Sequence, residues 1–113
     1  MLDWNGYRTE LLGRVEELGK LSPDTVRGLM TLDNAAAKTD RLGPKVRELI
    51  ALAVAVTTRC DGCIAVHGKA AVDHGATREE IAEALGVAVA LNAGAAVTYS
   101  ARVLDAVAGL PVS

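Results

Sequence analysis

The chain reads as an all-α, single-domain helical bundle of about six helices, and three observations predict it. Ala, Leu and Val dominate, with no Phe, one Trp and two Tyr, a vocabulary whose small side chains let helices approach closely. Helix punctuation recurs along the chain: Ser22-Pro23, Gly43-Pro44, and Thr77 three residues before Glu80. No alternating polar and apolar run is long enough to argue for a strand.

The elements follow in order. A first helix is predicted over about Asp3 to Leu18, with Leu11, Leu12, Val15 and Leu18 on one side and Glu10, Arg14 and Glu17 largely on the other. Ser22-Pro23-Asp24 reads as an N-cap followed by proline at the first helical position, opening a helix to about Ala37. Leu42-Gly43-Pro44 breaks that helix and starts a third, to about Thr58. The fourth is expected to take Asp61 as N-cap and to end at His74-Gly75 with glycine as C-cap. Thr77-Arg78-Glu79-Glu80 is a capping box for a fifth helix to about Leu91, and Asn92-Ala93-Gly94 is expected to separate it from a sixth, ending near Gly109-Leu110-Pro111.

At 113 residues the whole chain, 1–113, forms one domain. Twelve basic against fourteen acidic residues leave a net charge of −2. Nucleic acid is therefore not an expected partner, for there is no basic patch and too few aromatic residues to stack bases. The amino terminus, Met1 to Arg8, lacks the basic head and apolar run of a signal peptide, and the longest apolar run, Leu49 to Val56, is too short to span a bilayer. A cytoplasmic location and no membrane partner are the expectation. Leu49–Val56 and Ala84–Leu91 nevertheless have little polar face, and a small domain has few positions buried on all sides, so self-association is predicted.

The chemistry-bearing residues are concentrated. The two cysteines, Cys60 and Cys63, stand three apart, with His67 four residues later and Glu48 twelve residues before Cys60. On a helix, Cys63 falls about 60° from Cys60 in azimuth and His67 about 20°, so two thiols and a base share a face. In a reducing cytosol such a pair suits catalysis, redox cycling or metal binding better than a permanent staple. Packing within an apolar helix is the bland alternative. Zinc is another, although structural zinc usually takes two separated ligand pairs and only one cysteine pair exists. Haem attachment needs histidine directly after the second cysteine, where Ile64 stands. A thioredoxin-like domain needs strands that this sequence does not offer.

Thiolate is the reactive form of cysteine. The first turn of a helix and the adjacent Arg59 both favour an anion, His67 is placed to accept the Cys63 proton, and Glu48 to orient that imidazole. His74, seven positions after His67, is read as a cation suited to the helix end.

The spacing Glu-x11-Cys-x2-Cys-x3-His, carried by Glu48, Cys60, Cys63 and His67, resembles the alkylhydroperoxidase-D-like branch of the carboxymuconolactone decarboxylase family. Gly75-Ala76-Thr77-Arg78-Glu79-Glu80-Ile81, the small-residue helix after it and the closing Ala-Arg-Val-Leu-Asp segment agree, so that the resemblance covers about residues 42–108. It implies an all-helical fold, homo-oligomers (a trimer or a hexamer), and an antioxidant oxidoreductase acting as peroxidase or disulfide reductase. The substrate would be a hydroperoxide or a disulfide and the reductant an external thiol, with no cofactor and no metal. It further implies that Cys63 attacks peroxide and Cys60 resolves the product into a redox-active disulfide. The chain departs from the pattern at Gly62, where the best-studied peroxidases carry a further histidine. Decarboxylases of the family generally lack the cysteine pair, yet lactone or keto-acid chemistry with His67 as proton carrier stays open as a rival, as does a non-catalytic helical module.

Overall fold

The computed structural model describes residues 1–111 and is helical throughout, with five helices among them: α1 Trp4–Leu21, α2 Pro23–Thr39, α3 Pro44–Thr58, α4 Asp61–Asp73 and α5 Arg78–Val107. Local chemistry sets most boundaries. Asp3 caps α1 by accepting from the Gly6 amide at 3.3 Å. Ser22 alone separates α1 from α2: its amide closes the last turn of α1 on the Leu18 carbonyl at 2.7 Å, and Pro23, with no N–H to give, begins the next helix. The Ser22 hydroxyl meets the Thr25 hydroxyl at 2.8 Å and makes no side-chain cap to the backbone. Asp40, in the left-handed region, ends α2, and Gly43 at φ 83° precedes Pro44 of α3.

The expected sixth helix is the far half of α5. Asn92 does not break it, because its side-chain amide donates to the Ala88 carbonyl one turn back (2.7 Å) and to the Thr57 hydroxyl (2.9 Å), which ties the residue into the helix and onto α3. Gly94 weakens a helix interior by about 1 kcal/mol, too little to stop a 30-residue helix started by a complete capping box at Thr77 and Glu80. The continuous α5 carries an uncharged stretch longer than Leu49–Val56. Ala84–Ala101 is now a single helical stretch of 18 residues without a charge, and α5 is long and apolar enough, by length and composition, to cross a membrane.

The core is thin. Its buried apolar residues are Leu52, Ala55, Ala65, Ala71, Ala76 and Ala88, with Leu49 and Ile81 packed against the Leu52–Ala71–Ala76 cluster. α3 lies at the centre, with α4 folded back across one side and α5 on the other. Lys45 bonds Glu80 at 2.7 Å and Thr57 bonds Asn92 at 2.9 Å, so α3 and α5 run parallel with the same twelve-residue step between the two ties. The α1–α2 hairpin joins this core through α1 against α4. In α1 the half-buried residues are Trp4, Tyr7, Arg8, Leu11, Val15 and Gly19, while Leu12 and Leu18, expected on the inner face, are exposed. Ile50, Val54, Val87 and Leu91, on the two stretches with little polar face, are exposed in the single chain as well.

Candidate functional site

The cysteine pair sits at a helix junction only two residues long. α3 ends with Arg59 in the left-handed region (φ 55°), where its amide and that of Cys60 both turn back to the Ala55 carbonyl, the latter at 3.0 Å. The chain then enters α4 with Cys60 as N-cap, not Asp61, which becomes the first helical residue. The reason is geometric: Cys60 has the extended N-cap backbone, and its Sγ accepts from the Cys63 amide at 3.1 Å. Asp61 instead places a carboxylate in the first turn, where the helix dipole favours it. Cys60 and Cys63 are joined as a disulfide, with Cα atoms 5.2 Å apart. An amide aimed at Sγ at a helix N-terminus also stabilises a thiolate once the bond is opened.

Glu48 of α3 and His67 of α4 meet at 2.7 Å, Nδ1 to Oε2, and both side chains are less than a quarter exposed. An ionised carboxylate only accepts, so Nδ1 carries the proton and Nε2 is left as the basic nitrogen. His67 is one turn beyond Cys63 on the same helix. The fold thus brings together Glu48 with His67 and Cys60 with Cys63, on adjoining turns of one helix hairpin. Among the described residues no group of three or more His, Cys, Asp or Glu side chains is arranged to hold a metal ion.

Beside the Glu48–His67 pair an open groove of about 450 Å³ runs between α2 and α3, with Asn34, Arg47 and Ile50 among its walls. His74 reaches the same groove. Its backbone serves as the C-cap of α4, donating to the Ala70 carbonyl, while its side chain is exposed beside Asp73. A 2.6 Å bond from the Lys69 ammonium, helped by the charges of Lys69 and His74, holds the Asp73 carboxyl below its ordinary range against a smaller opposing effect of desolvation.

Two contacts near the thiols were not legible in the sequence. A Cβ added at Gly62 would lie 2.8 Å from Cδ2 of Leu11, so glycine at this position lets α1 lie against the start of α4. Arg8 then ties the two helices, its Nε donating to the Ala65 carbonyl at 2.8 Å. Leu11 was legible as part of an apolar stripe, but nothing local in the sequence says which helix the stripe meets.

The family model for carboxymuconolactone decarboxylase matches residues 23–106, nearly all of α2 to α5. The chain belongs to the carboxymuconolactone decarboxylase family. It is 50% identical over 104 residues to an uncharacterized protein of Haemophilus influenzae, covering 92% of each chain. An uncharacterized protein of the cox locus in Paracoccus denitrificans is 37% identical over 93 residues, 82% of this chain and 81% of that one. Among solved structures, the crystal structure of apo-lpg0406, a carboxymuconolactone decarboxylase family protein from Legionella pneumophila, matches 91% of this chain and 92% of its own at a TM-score of 0.73 and 36% identity. The all-helical architecture is that of the family. α1, which supplies Leu11 and Arg8, lies outside the segment that the family model matches.

Proposed function

We propose that this family member is a cytoplasmic thiol oxidoreductase of the alkylhydroperoxidase-D type, reducing hydroperoxides or disulfides through Cys60 and Cys63. The observation that carries the reading is the Cys60–Cys63 disulfide at a helix N-terminus, one turn from a Glu48–His67 pair bonded at 2.7 Å. In the reduced protein, Nε2 of His67 takes the Cys63 proton, and Glu48 stabilises the imidazolium. The Cys63 thiolate attacks the distal peroxide oxygen; an S–O bond forms as the O–O bond breaks, and the leaving alkoxide takes the proton from His67 to give an alcohol. Cys63 is then a sulfenic acid. The Cys60 sulfur, held at the N-cap, attacks that sulfur as its thiol proton passes to the leaving hydroxide, which departs as water. An external dithiol restores both thiols by exchange and is itself oxidised to a disulfide. The cytosol is the compartment that supplies such reductants.

The test is a free-thiol count with peptide mapping on fully reduced protein, before and after one equivalent of hydroperoxide. Loss of two thiols, with a 60–63 linked peptide that a dithiol reopens, supports the reading. Both thiols remaining free, or sulfonic acid at both, overturns it. Turnover of a lactone or keto acid by a double Cys60→Ser, Cys63→Ser variant would assign the protein to non-redox chemistry.

A further inference from the structure

α1 meets α4 at the cysteine pair itself. Asp61 and Gly62 are the residues enclosed by Cys60 and Cys63, and Gly62 lies directly under Leu11, whose Cδ2 takes the space a Cβ would need. Three residues further along α4, Arg8 donates from Nε to the Ala65 carbonyl at 2.8 Å, and the Asn5 side chain steadies the same guanidinium at 3.1 Å. A carbonyl oxygen has two lone pairs, so Ala65 accepts from Arg8 without giving up its place in the helix. Trp4 and Arg8 also line a small cleft against Ile64 and Gly68, which extends the seam by another turn of α4.

Two constraints therefore act on one turn of helix. The disulfide closes a ring through residues 60–63, and α1 holds a point within that ring, Gly62, and a point just past it, Ala65. Glycine has more backbone freedom to lose than any other residue, so with the bond open Gly62 is where this turn loosens and the sulfurs move apart. While α1 is docked the turn keeps the geometry that the bond requires. One sulfur then stands at a high effective concentration beside the other, and the closed form is favoured.

We infer that Leu11 and Arg8 are positioning residues for the Cys60–Cys63 pair, acting through the first turn of α4 to favour its disulfide state. In exchange with an external dithiol the Cys60–Cys63 bond breaks, an S–S bond forms in the reductant, and two electrons and two protons pass to the pair. α1 shifts that equilibrium toward the protein disulfide. Linkage makes the effect reciprocal: opening the disulfide loosens α1 from α4 by the same factor. The inference rests on a reversible Cys60–Cys63 disulfide, as the proposed function does, but on no particular substrate.

The experiment equilibrates full-length protein in buffers of reduced and oxidised dithiothreitol, traps the thiols by acid quench and alkylation, and reads the reduced fraction by mass spectrometry. Leu11→Ala and Arg8→Met, with folding checked by circular dichroism, are each expected to be reduced at least about threefold more readily, a rise of about 14 mV for a two-electron couple. Leu12→Ala, at an exposed neighbour on α1, is expected to shift the equilibrium by less than that. In the unaltered protein, amide hydrogen exchange over residues 4–21 is expected to be at least about twofold faster in the reduced state, with residues 78–107 unchanged. A smaller or opposite shift in one variant removes that residue from the role. Such a result in both variants, an equal shift in Leu12→Ala, or equal exchange of α1 in the two redox states overturns the inference. If Leu11→Ala does not fold, Arg8→Met and the exchange measurement decide. A pair that titrates normally but is indifferent to α1 sinks this inference alone, whereas a pair that never closes sinks the proposed function with it.

Discussion

Gly62→Ala is the sharpest probe of how α1 is held against the motif helix. The new Cβ would sit 2.8 Å from Leu11 Cδ2, where two carbons prefer about 3.5–4.0 Å, so Leu11 or α1 itself must yield by roughly 1 Å. Overpacking of this kind costs about 1–3 kcal/mol, and replacing glycine by alanine in a helix returns about 0.5–1 kcal/mol. The first turn gains less than a helix interior, so the net loss should be about 1–2 kcal/mol. Leu11→Ala removes the obstructing methyl, and in that background Gly62→Ala should be neutral or stabilising. The coupling between the two sites should therefore be about 1–2 kcal/mol, well above the roughly 0.5 kcal/mol within which independent sites add. The assay is urea unfolding of the four proteins of the cycle at one fixed protein concentration, with the dithiol fully reduced in every sample. Equal costs of Gly62→Ala in both backgrounds would refute the Leu11–Gly62 contact as the reason for glycine.

Three further outcomes are expected. Cys63→Ser should abolish peroxide consumption, while Cys60→Ser should leave a sulfenic acid at Cys63 that dimedone traps and mass spectrometry reads; the reverse order would exchange the roles of the two thiols. Glu48→Gln should keep the fold yet slow alkylation of the reduced Cys63 by about tenfold at neutral pH, because Nδ1 of His67 loses its anionic partner; an unchanged rate in stopped-flow measurements would remove Glu48 from the site. Glu80 is held below the ordinary glutamate range, first by its bond from Lys45 and then by the Thr77 amide. Its contribution is therefore complete above the unfolded-chain value, about 4.3, and is lost as pH falls through the lower folded value. Lys45→Met should flatten that part of the urea-midpoint profile between pH 6 and 3, and parallel profiles would count against the pair.

Family membership gives Glu48, Cys60, Cys63 and His67 a setting in which thiol chemistry is one option and lactone chemistry another. Three placements coincide at one end of α3: the cysteine junction, the Thr57–Asn92 tie and the continuation of α5 beyond it. α1 approaches the same junction from the other direction through Leu11.

The sequence by itself determined the features that depend on neighbours within a turn or two. Pro23 and Pro44 start helices because they lack the N–H that a first turn does not need, and Thr77 with Glu80 closes a capping box within four residues; both are visible in one dimension. The shared face of Cys60, Cys63 and His67 follows from helical periodicity alone. Only the tertiary structure decided what depends on partners distant in the chain. Asn92 read as a break because its local tendency is to leave a helix, and it stays because Thr57, thirty-five residues earlier, receives its amide. Asp61 read as the cap because carboxylates suit that position, but the end of α3 fixes the Cys60 backbone and gives the cap to sulfur. Gly62 read as a missing histidine, whereas Leu11, fifty-one residues away, occupies the space a side chain would need. The apolar faces of α3 and α5 were legible as patterns, yet a pattern specifies only that a face seeks cover. Where the fold leaves it uncovered is a property of how the helices are packed in space.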